Sequence, residues 1–215
     1  FDQMSASVRN TARDVFKASK RVGSLISMSE EIVQSTAALG GETDDSRFIR
    51  YVQTLALEIS EIFAAGLDSG EVSEGDLFDT DYRPVRGSNP QQVLARFTDF
   101  TDRHLPALQD PALGFDSRVV FCAAVDRNGY LPTHNNIFSL PQGDDPVWNA
   151  ANSRNRRIFD DRVGLHAGRN TAPFLLQVYR RDMGGGNFAL MKDLSAPIFV
   201  RGQHWGGVRL GYRLE

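Results

Sequence analysis

Residues 174–213 read "FLLQVYRRDMGGGNFALMKDLSAPIFVRGQHWGGVRLGYR", three apolar runs broken by a triple glycine and by an Arg-Gly-Gln step. A glycine loop that cradles phosphate leads into a helix whose first amides face the anion. Here Phe188-Ala189-Leu190-Met191-Lys192-Asp193-Leu194 follows, which alternates as a strand does, and no Lys-Ser or Lys-Thr pair stands after the glycines. The stretch therefore predicts a meander of three antiparallel strands, with the glycines free to take positive φ at a hairpin tip. Register follows from keeping one face apolar. Pairing Asp182 with Asn187 mixes polar and apolar residues on both faces. Pairing Asp182 with Phe188 puts Phe174, Leu176 and Val178 on one face with Leu190 and Leu194. Gln177, Tyr179, Arg181, Met191 and Asp193 then share the other, and this second register is the one expected.

Upstream, "RVVFCAAVD", the turn "RNG" and "YLPTHN" predict a strand hairpin from Arg118. "DPVWNAANSRNRRIFD" reads as helix, with Pro146 in its first turn, and "DRVGLHAGRNTAP" as irregular chain. The order is two strands, a crossover and three strands, an α+β domain with one sheet of five antiparallel strands, assigned to residues 111–215. Residues 1–110 read as a helical region for dimerisation, signalling and packing. One helix is predicted over 5–38, where Val8, Ala12, Val15, Ser19, Val22, Ile26, Ser29 and Val33 form a heptad-like seam, six of the eight apolar. That seam is either an intramolecular core face or a dimer contact. Glycines at 40 and 41 stop it, a second helix runs over about 45–66, and a third over about 90–104.

Composition narrows the function. At 41% hydrophobic and 24% charged residues with a net charge of −3, the chain lacks the basic excess of a nucleic-acid binder. Its single cysteine, Cys122, lies inside an apolar run, so neither a disulfide framework nor a zinc cluster is expected. No run approaches the ~18 apolar residues of a membrane span. The opening at Phe1, without a methionine, leads to the expectation of a fragment excised from a longer protein. Neither a nucleophile with its base nor a pair of catalytic carboxylates is legible, so the expectation is a protein that is not an enzyme.

"AVDRNGYLPTHN", "DPVWNAANSRNRRIFDDRVGLHAGRNTAPFLLQVYRRDMGGG" and "APIFVRGQHWGGVRLGY" together resemble the Cache and PAS-like sensor domains of bacterial methyl-accepting chemotaxis proteins. The resemblance covers residues 118–213, roughly half of the chain. It implies a five-stranded antiparallel PAS/Cache-like sheet, preceded by long N-terminal helices, with a small-molecule pocket between sheet and crossover. It also implies chemotaxis signal transduction, through a homodimer joined at the N-terminal helix and a signalling module in the parent chain. Because that helix looks like a continuation of a receptor's signalling region, the cytoplasm is the expected location; the alternative is a periplasmic sensor of a membrane-anchored receptor. The amino-acid-binding pattern of tyrosine, arginine and tryptophan-tyrosine is not found in order, which leaves the ligand class open.

The pocket so implied is floored by one sheet face and roofed by residues 147–182. Arginine suits bidentate capture of a carboxylate or phosphate, and the crossover carries Arg154, Arg156, Arg157, Arg162 and Arg169, followed by Arg180 and Arg181. Arg157 and Arg181 are the expected ligand clamps for an anion or organic acid; a solvated face paired with Asp160, Asp161 and Asp182 is the plain alternative. Asp193 stands mid-strand and must find a partner, either a ligand amine or an arginine on the next strand. Tyr179, Trp148 and Tyr130 serve as pocket walls or as core, and His134 sits at the rim. No resident cofactor is expected: a lone histidine would suit haem in a gas or redox sensor, but no haem-attachment motif is present. A dimerisation module that binds nothing is the remaining reading, and it would fill the pocket with side chains.

Overall fold

A computed structural model describes the backbone of residues 2–184 and 187–214, and the side chains of residues 11–36, 39–180 and 189–214. The chain forms two compact units, residues 1–45 and 46–215. Residues 46–110 thus belong to the unit that holds the sheet and not with the long helix. The first unit is helix α1 (Asp2–Ala38), which begins three residues earlier than predicted and ends where the glycines stop it.

The second unit opens with α2 (Ser46–Ser69) and the short α3 (Glu74–Leu77). A two-stranded ribbon of β1 (Arg83–Pro84) and β2 (Val93–Leu94) follows, then α4 (Thr98–His104) and α5 (Pro106–Gln109). The helix expected over 90–104 is therefore only its second half. Val93 is drawn into strand pairing with Pro84, and its amide donates to the Arg156 carbonyl at 2.7 Å, so tertiary pairing overrides the helical spacing.

The main sheet is antiparallel and four-stranded, built from β3 (Val119–Asp126), β6 (Leu175–Gly184), β7 (Asn187–Val200) and β8 (Gln203–Arg213) in the order β3-β8-β7-β6. Among the described residues the sheet has no fifth strand of the kind expected. β4 (Tyr130–Leu131) pairs instead with β5 (Arg157–Ile158) in a sheet of its own. The turn itself was legible: Asp126 accepts from the amides of Asn128 and Tyr130, and Gly129 takes φ +84°. What the hairpin reading missed is how the outer edge of β3 is covered. The amides of Cys122 and Ala124 donate at 2.8 Å to the side-chain carbonyls of Asn135 and Gln109, so buried side-chain amides replace a neighbouring strand.

The register of β6 on β7 is the expected one, with Asp182 opposite Phe188 and Gln177 opposite Asp193. On the apolar face lies α2, whose Phe48, Val52, Leu55, Ile59 and Phe63 are buried at helical spacing. Phe48 stacks on Tyr212 of β8 at 4.2 Å, and Phe63 meets Trp205 edge-on at 4.9 Å. On the opposite face lies α7 (Arg162–Arg169), a helix in a stretch that reads as irregular, and the crossover that leads to it carries α6 (Pro146–Asn152) and β5. Asp161 caps α7 by accepting from the amides of Val163 and Gly164. The helix approaches the sheet backbone closely: a Cβ on Gly168 would stand 2.2 Å from the Asp126 carbonyl oxygen, and one on Gly207 2.7 Å from that of Ala167.

Candidate functional site

One row across the sheet sets the site's floor. Phe121 pairs with Gly211, Gly211 with Asp193 and Asp193 with Gln177, so these residues face the same side on four adjacent strands. Gly211 is needed there because any Cβ would fall within 2.0 Å of the Phe121 ring, which lies across the gap. Asp193, fully buried, is met from the next strand by Arg209, whose Nε and Nη2 donate to the carboxylate at 3.1 and 2.7 Å. Of the two partners open to Asp193 on the sequence, the structure supplies the arginine. Complete burial pushes the Asp193 carboxyl above its ordinary range, against the pull of Arg209; burial likewise opposes the Arg209 cation, which Asp193 more than offsets.

Above this floor is a cavity of about 310 Å³, lined by Phe121, Arg209, Tyr179 and Arg180 from the sheet, by Arg154, Phe159, Asp161 and Val163 from the crossover, and by Leu131 and His134. It lies where sheet and crossover enclose it, inside the second unit. The Arg209 guanidinium stands 5.6 Å from the centre of the Phe121 ring, and that of Arg154 5.2 Å from the centre of Phe159. Two aromatic rings are thereby each matched with a cation. His134 is buried against Phe121 and Phe138, and its Nδ1 accepts from the Asn135 amide at 2.7 Å, which places the proton of the neutral ring on Nε2.

Of the residues singled out in the sequence, Tyr179 and His134 line the cavity, and Asp193 stands behind Arg209. Arg157 does not line it. Its guanidinium lies 5.1 Å from the Phe159 ring and donates to the Ala150 carbonyl, so it acts on the wall from outside, and burial lowers its pKa. Tyr130 is core: its hydroxyl donates to the Val93 carbonyl at 3.1 Å and is hydrogen-bonded to the Thr98 hydroxyl at 2.8 Å, and burial pushes its pKa up to about 12. Trp148 is 42% exposed on α6, away from the lining. The Arg181 side chain lies outside the described residues. Sequence reasoning missed Arg209, although a charge amid "GGVRLGYR" is as conspicuous as Asp193 amid "LMKDLSAP". Cys122 is buried with its thiol pushed up to about 12 by that burial, which suits a core residue and not a nucleophile. Among the described residues no group of His, Cys, Asp and Glu could hold a metal ion.

The chain matches no protein family model and no curated protein. Among solved structures it is similar to an extracellular ligand binding receptor from Desulfohalobium retbaense DSM5692, at 14% identity and a TM-score of 0.29, over 80% of this chain. The match spans 26% of that receptor's length. Among the described residues no helix is long and apolar enough to cross a membrane. The architecture itself is α+β, with two N-terminal helices, a four-stranded antiparallel main sheet and two small sheets.

Proposed function

We propose that the second unit is the ligand-sensing module of a bacterial chemoreceptor, with α1 as the element that joins two copies and carries the signal. The observation that carries this reading is the cavity. A module built only to dimerise would fill that space with side chains, whereas here about 310 Å³ lies between sheet and crossover, walled by aromatics and arginines. The resemblance of "AVDRNGYLPTHN" and "APIFVRGQHWGGVRLGY" to Cache and PAS-like sensors supports the same assignment. In this reading the module binds a small molecule without catalysing its conversion, sits on the cytoplasmic side, and acts by shifting a balance between two arrangements. Only a ligand that contacts those arrangements differently transmits anything.

The test is a thermal-shift screen with organic acids, amino acids, purines and inorganic anions, preceded by an absorption spectrum. A concentration-dependent rise in Tm with one chemical class, abolished by filling the cavity with Val163→Trp, is the expected result. A Soret band would replace this reading with the haem sensor. A colourless protein that no compound stabilises would overturn it in favour of the dimerisation module.

A further inference from the structure

Resting on that sensory reading, we infer that the cavity takes a carboxylate with a compact apolar body, and that Arg209, held in place by Asp193, is the residue that receives the carboxylate.

The argument begins with the donors of one guanidinium. Arginine has five N–H donors in a fixed fork. Asp193 takes the Nε and Nη2 side of Arg209, at 3.1 and 2.7 Å. Among the described residues Nη1 has no hydrogen-bond partner, yet Arg209 lines the cavity and its side chain is only 8% exposed. Three donors on a buried cation, two on Nη1 and the second on Nη2, thus remain for whatever enters. Asp193 and the Phe121 ring hold the fork from behind and beside, so little freedom is lost when it binds.

Charge and shape narrow the class. Arg154, Arg180 and Arg209 line the cavity against the single carboxylate of Asp161, and Asp193 lies just behind. A lining that presents three guanidinium groups and one carboxylate favours an anion over a cation or a neutral molecule. Half of the Asp161 carboxylate is already spent on capping α7. Phe121, Leu131, Phe159 and Val163 give the wall an apolar part, to which Tyr179 and His134 add polar atoms, so a carboxylate carried on an apolar body matches it. The space of about 310 Å³ exceeds the ~150 Å³ that takes a benzene ring, so a benzoate-sized molecule fits with room to spare.

Benzoate is therefore the probe, with benzamide, benzylamine and acetate as controls, in calorimetric titrations of the whole chain. Arginine Nε–H and backbone amide spectra locate the binding. Benzoate is expected to bind at least tenfold more tightly than each control and to move the Arg209 Nε–H resonance. Arg209→Lys keeps a cation beside Asp193 but loses the fork, and should weaken benzoate at least tenfold; Arg154→Ala, on the crossover, should weaken it as well. Should Arg209→Lys fail to fold, the wild-type Nε–H titration decides alone. Benzamide or benzylamine binding as tightly as benzoate, with shifts at Phe121 and Tyr179, would overturn the carboxylate assignment while leaving a sensing cavity. Benzoate affinity unchanged in both variants, with an unmoved Arg209, would overturn the role of Arg209. Absence of shifts at Phe121 and Tyr179 with every compound would overturn both this inference and the sensory reading.

Discussion

Asp193 and Arg209 form a buried ion pair inside a sheet, an arrangement whose contribution to stability differs from the cost of breaking it. Bringing both charges out of water offsets much of their attraction, so replacing the pair by apolar residues of similar volume is near neutral, while removing one partner strands the other. Asp193→Ala should destabilise the second unit by about 3–5 kcal/mol. The double variant Asp193→Leu/Arg209→Met should recover most of that loss and bind no carboxylate. Urea denaturation of the single and double variants, with a benzoate titration of the double, separates the two roles. A double variant as unstable as the single would show that the pair is a structural necessity of the sheet and not a retained binding device.

At the level of elements, α7 shows how close packing is encoded by glycine. Gly168 is the point where the helix meets the Asp126 carbonyl, and a methyl group there has no space. Gly168→Ala should cost about 1–3 kcal/mol by overpacking, despite the better helix propensity of alanine. Gly23 in α1 has nothing within 4 Å of a would-be Cβ, and Gly23→Ala should stabilise its helix by about 0.5–1 kcal/mol. Thermal unfolding with opposite signs at the two sites is the check. The same contrast explains what the sequence shows and what it hides. Periodicity exposed α1, α2 and the β6–β7 register, because one face of each is apolar and a slip would bury polar groups. It hid α7, where glycines chosen for contact imitate loop composition, and it misplaced β4, whose partner lies 26 positions further along the chain, at Arg157 opposite Leu131. Tyr179 and His134 were legible as site residues by alternation and position. Arg209 was not, because a mid-strand charge discloses its need for a partner but not which of its donors the partner leaves over.

On the proposed reading, sensing and pairing fall in separate parts of the chain. All residues lining the cavity fall within the second unit, whereas α1 carries Val15, Phe16, Val22, Leu25, Met28 and Ile32 exposed along a helix of 37 residues. At 1.5 Å per residue the stretch from Val15 to Ile32 is about 26 Å long, and an apolar stripe exposed over that length is a surface for a like helix. Val15 and Val22 stand one heptad apart, as do Leu25 and Ile32, the spacing that left-handed pairing of two helices requires. The chain should therefore self-associate as a dimer in sedimentation equilibrium. Val22→Glu with Leu25→Glu should shift it to monomer by placing carboxylates against one another in the seam. Because neither residue belongs to the unit that holds the cavity, the monomeric variant should bind benzoate with unchanged affinity per chain. A monomer that loses the ligand would mean that the dimer completes the site, and sensing and pairing would then be one event.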